Sequence, residues 1–350
     1  MNQTEKLHTE MAKMSNIDNG IIGDVASADE PVMDIAHVGH VELMTPKLDE
    51  SARFFVDVLG MSEAGSEPGS LYLRGWDDYE LHSLKLTASQ QPGLGHVGFR
   101  TRSSQALKRR VSVIERSGRG IGWHDGDCGH GPAYRFSEPD GHLMEVYFET
   151  IRYAPPNGER PYLKNQAQRF PARGANIRRF DHFNLVCAEP TENRHFLEQV
   201  LGLRTTEMTV DADGNEIGFW MTATNKGYDL AYARDGKGRR GLFHHVAFAL
   251  DSREEILRAA DIFNECGVKI VDGPHKHAIQ QTFYLYVIEP GGNRVELANA
   301  GARLVLAPDW EPVVWTPEER ARGQAWGAML SKSFYEYATP DIGAGEAAKL

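Results

Sequence analysis

The chain has 350 residues, 41% of them hydrophobic and 25% charged, with a formal net charge of −11, enough for two packed domains of about 150 residues each. The acidic surplus, with no sustained Lys/Arg block, argues against nucleic acid or an anionic membrane as partner, and no apolar run reaches the roughly 18 residues of a membrane span. Cys128, Cys187 and Cys266 are odd in number and lack zinc-type spacing, so free thiols in a reducing, cytoplasmic setting and no signal peptide are expected.

Residues 1–35 are polar and carry Gly20, Gly23 and Pro31, which predicts a flexible arm. A first domain is expected over 36–151. It holds a strand, then a helix with apolar Ala52, Phe55, Val56 and Leu59 stopped by Gly60, then several short strands. Residues 152–179 contain APPNGER, PYLK and PARG, which break any strand pattern and read as a linker. A second domain over 180–300 repeats the pattern, with Phe196, Leu197, Val200 and Leu203 around the stop at Gly202. The extension 301–350 should contain an extended DWEPVVW, a helix capped by Thr316 with Pro317 and Glu319, and a frayed ATPDIGAGEAAKL. The expected fold class is α+β. Each half reads as two βαβββ units paired around a concave mixed sheet, an open barrel that covers the apolar sheet faces and leaves a pocket.

Both halves place two histidines and a glutamate on short apolar strands: His40, His96 and Glu145, then His182, His245 and Glu296. Strand alternation puts His245 on one face with Phe243 and Ala247, and His244 on the other with Val246 and Phe248, so one of the pair is expected in the pocket. His182 and Asn184 share a face. An inward Glu296 between Val295 and Leu297 needs a partner, because a lone buried carboxylate is costly. Two imidazoles and a carboxylate form the facial set that holds Fe(II) with open positions. From residue types alone, zinc, hydrogen-bonded core histidines and a ligand set drawn partly from other positions stay open.

The segments FDHFNLV, GFWMTATNKGYDLAY, GLFHHVAFAL, DGPHKHAIQQTFYLYVIEPGGNRVELANAG and DWEPVVW resemble the type I extradiol ring-cleaving dioxygenases of the vicinal oxygen chelate superfamily. The resemblance covers roughly residues 36–327. It implies four βαβββ modules, a homo-oligomer such as a tetramer, and a small aromatic diol and O2 as substrates in aromatic catabolism. It also implies His182, His245 and Glu296 as metal ligands, with Fe(II) the first choice and Mn(II) the second. His277 and Tyr286 then contact substrate oxygen, and Asn184 and Trp220 lie in pocket segments. Tyr228 stands where the family pattern has an acid/base histidine. Phe283, with Phe219, Trp220, Phe243 and Tyr286, is expected to supply apolar walls, and because Phe219 and Trp220 face opposite ways on a regular strand, only one of that pair need touch substrate while the other packs in the core. A metal-dependent glyoxalase-like lyase or isomerase is the alternative on the same scaffold. In the first half Arg135 occupies the position of Tyr286 and His130 sits nearer the closing strand than His277 does, so that half is expected to be structural, its histidines paired by hydrogen bonds.

Overall fold

In the computed structural model, which describes residues 32–299, 307–320 and 324–343, the alternating apolar segments become strands and the periodic ones short helices. The order is four βαβββ modules. The first comprises β1 (Ile35–Thr45), α1 (Leu48–Arg53), β2 (Ser62–Glu67), β3 (Ser70–Arg74) and β4 (Leu84–Ala88). In the second are β5 (Gly93–Thr101), α2 (Ser104–Arg116), β6 (Gly120–His124), β7 (Ala133–Ser137) and β8 (Leu143–Tyr147). The third comprises β9 (Arg179–Cys187), α3 (Pro190–Phe196), β10 (Arg204–Val210), β11 (Glu216–Thr222) and β12 (Leu230–Arg234). The fourth is β13 (Leu242–Ala249), α4 (Arg253–Glu265), β14 (Ile270–His277), β15 (Phe283–Ile288) and β16 (Arg294–Asn299). The arm expected before residue 36 lies almost wholly outside the described residues.

Modules one and two share an 8-stranded sheet of order β2-β3-β4-β1-β5-β8-β7-β6. Modules three and four build the equivalent sheet around β12-β9-β13-β16-β15. It is enlarged by β17 (Val313–Trp315) on β10 and β18 (Gln324–Trp326) on β14. In each sheet the two central strands pair antiparallel, β1 with β5 and β9 with β13, and a parallel neighbour carries the glutamate. That register, with Gly98 opposite Glu145 and Ala247 opposite Glu296, brings residues far apart in sequence to one concave face.

Helices α1 and α3 each run on through one π-helical turn, Phe54–Val58 and Leu197–Leu201. Gly60 and Gly202 follow at φ +81° and +75°, conformations that glycine reaches without steric cost. Ser103 and Ser252 cap α2 and α4 by accepting the amides of Ala106 and Glu255 at 3.0 and 3.3 Å, as N-caps do. From Met33 onward the chain forms one compact unit. Its core is shared by both halves through contacts such as Phe55 on Phe248 and Phe99 on Phe183, with ring centroids 6.1 and 6.2 Å apart.

The C-terminal extension departs from expectation in one place. The Thr316 cap forms, with reciprocal contacts to Glu319 of 3.0 and 3.4 Å at the start of α5 (Pro317–Arg320). The segment expected to fray is instead pinned over residues 339–342. β19 (Thr339–Pro340) pairs with β13, and the amides of Asp341 and Ile342 donate to Gly241 and Leu94 at 2.8 Å each. Those carbonyls flank the starts of β13 and β5, and the tail supplies their donors.

Candidate metal centre

His182 on β9, His245 on β13 and Glu296 on β16 are all at most 2% exposed. Their inner atoms form a triangle. His182 Nε2 is 3.1 Å and His245 Nε2 2.9 Å from Glu296 Oε2, and the two nitrogens are 3.3 Å apart. Metal–ligand bonds of roughly 2.0–2.2 Å set at right angles would separate ligand atoms by about 3 Å. The other carboxylate oxygen, Glu296 Oε1, is buried without a hydrogen-bond partner, a state that costs several kcal/mol unless something satisfies it. The donor set and this orphaned atom together fit a divalent cation.

Neighbours orient each ligand. Asp181 Oδ2 lies 2.8 Å from His182 Nδ1; an ionised carboxylate only accepts, so the proton sits on Nδ1 and Nε2 faces inward as a lone pair. Burial opposes ionisation of Asp181, but the Lys226 charge and the His182 bond outweigh it and hold the carboxyl below the usual range. Burial also acts against Glu296, and His182 and His245 reverse it. His245 Nδ1 is 2.6 Å from His244 Nδ1, and His244 Nε2 is 2.8 Å from the Phe334 carbonyl. With His245 Nε2 turned to a metal, its Nδ1–H donates to His244, and His244 Nε2 faces both the Phe334 carbonyl and, at 2.5 Å, Arg294 Nη1.

That chain corrects the alternation argument. His244 and His245 both line the pocket, because a β-bulge interrupts the β9–β13 ladder between Phe243 and His245. A bulge places an extra residue against the partner strand and breaks strict alternation. Phe243 is consequently turned into the hydrophobic core.

The pocket is a cavity of about 480 Å³ lined by His182, His245 and Glu296 together with Asn184, Trp220, Tyr228, His277 and Tyr286. Phe283 is not among its lining residues. It packs in the core with its ring 5.5 Å from Trp326, since Phe283 and Tyr286 on one regular strand face opposite ways. Phe219 is a core residue and Trp220 lines the pocket, the division expected of neighbours on one strand, so Trp220 and Tyr286 are the aromatic walls of those named. Asn184 Oδ1 is buried and unpartnered.

Tyr228 packs against His182 with the rings tilted by 50° and centroids 4.4 Å apart, and its hydroxyl lies 3.0 Å from Thr282 Oγ1 and 3.4 Å from His182 Nε2. Burial first, then the Glu296 charge, push its pKa well above 10, so it is a neutral phenol. His277 is stacked on Tyr284 at 3.7 Å, with Nδ1 3.0 Å from Gln324 Oε1 and Nε2 3.2 Å from the Tyr286 hydroxyl. The amide oxygen of Gln324 accepts, so the His277 proton sits on Nδ1 and Nε2 presents its lone pair. Burial lowers His277 to about 4 despite the Glu296 charge. Spacing does not single out His244, Thr282, Gln324 or Phe334; Gln324 and Phe334 arrive from beyond the second repeat, and only Thr282, within the segment HKHAIQQTF, carries a local signal.

The profile of the Glyoxalase/Bleomycin resistance protein/Dioxygenase superfamily matches residues 37–146 and 179–297, and the chain belongs to that family. It is 40% identical over 313 residues to a metapyrocatechase of Geobacillus stearothermophilus, covering 89% of this chain and 95% of the relative. With a manganese-dependent 2,3-dihydroxybiphenyl 1,2-dioxygenase of Geobacillus genomosp. 3 it shares 35% identity over 84% of this chain and 94% of the relative. Among solved structures, homoprotocatechuate 2,3-dioxygenase of Brevibacterium fuscum in complex with 3,4-dihydroxyphenylacetate superposes with a TM-score of 0.77 at 27% identity, over 88% of this chain and 94% of that one.

Proposed function

We infer that this chain is an extradiol ring-cleaving dioxygenase, which opens a catechol-type ring beside its vicinal diol with O2. The observation that carries this reading is the buried face of His182, His245 and Glu296, with an orphaned carboxylate oxygen, at the wall of a cavity holding Tyr228, His277 and Tyr286. Three protein ligands leave positions for a chelating diol and dioxygen. When bound, a divalent ion there supplies Lewis acidity and an electronic link between ring and dioxygen. Fe(II) is our assignment and Mn(II) the second, since the O/N donor set accommodates both. Elemental analysis of active protein separates them.

The remaining work falls to the chain's own groups. His277 Nε2 is placed to accept a proton from a diol hydroxyl, with Gln324 fixing the tautomer that leaves this nitrogen bare. Tyr286 and Tyr228 offer O–H donors to substrate oxygens, and a phenol held above 10 donates without titrating near neutral pH. Trp220 supplies an apolar wall. We assign a substituted monocyclic or biaryl catechol as substrate; a cavity of about 480 Å³ admits both, within the roughly 300–1,000 Å³ of enclosing pockets. A homotetramer and a cytoplasmic location complete the proposal. The three free cysteines are consistent with the latter, and native mass measurement decides the former.

The test is anaerobic loading with Fe(II), then catechol, alkylcatechols, a diphenyl diol and homoprotocatechuate, then oxygen. We expect a ring-opened chromophore and oxygen uptake with one or more of them. No product across the panel would overturn the assignment, and a dominant carboxylated substrate would overturn the apolar preference.

A further inference from the structure

Four of the chain's 14 histidines meet in the first half, away from the site just described. His40, His82, His96 and His130 are gathered with centroids of the other three 5.0 to 5.2 Å from that of His40. His40, His96 and Glu145 are at most 1% exposed. His40 Nε2 and His96 Nε2 are 3.0 Å apart, and they lie 3.4 and 3.6 Å from Glu145 Oε1. This triangle has nearly the dimensions of the one in the second half.

The protons make the cluster more telling than the distances. His96 Nδ1 is 2.8 Å from Glu42 Oε2, so its proton is outward and Nε2 is a lone pair turned inward. His130 Nδ1 is 2.9 Å from the Gly131 carbonyl, which only accepts, so His130 Nε2 is also a bare acceptor. It points at Glu145 Oε1 from 3.5 Å. Both of those atoms are buried without a hydrogen-bond partner. His40 Nε2 can meet His96 Nε2 as a donor at 3.0 Å, but between His130 and Glu145 acceptor faces acceptor, an arrangement that repels unless a cation lies nearby. Glu42, held by Thr87 at 2.6 Å and Lys85 at 3.4 Å, backs His96 as a carboxylate behind a metal-bound imidazole does.

The backbone makes room for these groups. A Cβ on Gly98 would clash with the His40 ring, and one on Gly95 with the Glu42 carboxylate. The register that sets Gly98 opposite Glu145 sets Ala247 opposite Glu296, so the glycine belongs to the first half alone. Arg135, opposite Glu145 on β7, reaches Oε2 at 3.3 Å. That is the oxygen other than the one facing the histidines, so Arg135 orients the carboxylate without occupying the centre.

We propose that the first half binds a second divalent transition-metal ion through His40, His96 and Glu145, with His130 beside the site, its Nε2 3.5 Å from Glu145 Oε1. Two imidazoles and one carboxylate in a buried setting suit Zn(II), which three protein ligands hold with a fourth position left over. The role is to tie β1, β5 and β8 together. The competing arrangement is a proton shared among the same acceptors, with His96 charged between Glu42 and Glu145.

Zinc is the probe. The metal-free full chain is titrated with Zn(II), desalted, and its metal content measured for wild type, Glu145→Gln and Glu296→Gln; zinc-edge anomalous diffraction of the wild type locates the ions. We expect about two ions per chain in wild type, about one in each variant, and an anomalous peak among His40, His96 and Glu145. A single ion lost with Glu296→Gln and kept by Glu145→Gln, or no peak at the first cluster in saturated wild-type crystals, would overturn the site. The diffraction arm stands even if Glu145→Gln does not fold, and a conservative His130→Gln variant, expected to weaken zinc retention at the first site alone, provides the further check.

Discussion

Tyr228 can give a hydrogen bond but cannot take a proton near neutral pH, because burial and Glu296 hold its phenol well above 10. Tyr228→Phe should therefore lower kcat by about tenfold, the worth of one hydrogen bond to a charged group, with metal content unchanged. The shape of the kcat against pH profile should not alter between pH 6 and 9. Loss of a limb from that profile would show a titrating role that the geometry does not give Tyr228. Gln324 acts one step further out, since its carbonyl selects the His277 tautomer. In Gln324→Leu the imidazole is free to place its proton on either nitrogen, and steady-state kinetics should show kcat reduced about tenfold while KM stays within about twofold. At this scale the sequence discloses what alternation controls: His182, Glu296 and Asn184 follow from period two and lie on the cavity, as does Tyr286, which the family resemblance supplies. It misplaces Phe243 and Phe283, the former because a bulge resets the period and the latter because its parity is opposite to that of Tyr286. Gln324 is illegible, as its partner His277 is 47 residues away with no spacing rule between them.

Helices and strands are more legible than side chains, for the apolar period and the stopping glycines at 60 and 202 are local signals. The π-helical turns before those glycines are not, since no residue type there marks a shift from four-residue to five-residue bonding. Nor is the way one sheet is tied to the other. His142, in the turn between β7 and β8, is fully buried and has acceptors on both ring nitrogens. Nδ1 is 2.5 Å from Glu138 Oε1, and Nε2 is 2.9 Å from the carbonyl of Leu242 at the start of β13. An imidazolium serves both. Burial disfavours it, but the Glu138 charge and hydrogen bond prevail and raise His142 to about 9. Because the folded value lies above the ordinary value of about 6.5, the contribution to stability is complete below about pH 6.5 and fades as pH rises through about 9. Its size is on the order of 3 kcal/mol by linkage. Urea unfolding at pH 6, 7.5 and 9 should show stability falling across this window in wild type, and a flatter dependence in His142→Gln. Equal slopes in the two proteins would remove His142 from the account of how the halves are joined.

Across the whole molecule, the C-terminal extension completes a site whose ligands all come from earlier strands. The line that begins at His245 and passes through His244 ends at the Phe334 carbonyl and Arg294 Nη1 together, and Arg294 anchors the same segment by donating to the Phe334 and Ser333 carbonyls at 3.2 and 2.9 Å. Leu330, Phe334 and Tyr335 also form part of the cavity wall. The repeats by themselves suggest that function ends at residue 300 and that the extension is an appendage, because the strands of the second copy supply all three candidate ligands. Removal of residues 331–350 should therefore lower metal affinity by about 10–100-fold, the usual consequence of losing a group that orients a ligand, and His244→Leu in the full chain should do the same. The truncation also removes the β19 pairing with β13, so general loosening would give a similar single result. Combining the two changes separates the explanations. If the tail acts on the metal through His244, the doubly altered protein should bind metal about as weakly as either single one; if it acts through stability alone, the losses should multiply. Competition titrations with a chelator of known affinity, on all four proteins at one pH, read that difference directly, and multiplicative losses would detach the tail from the metal centre.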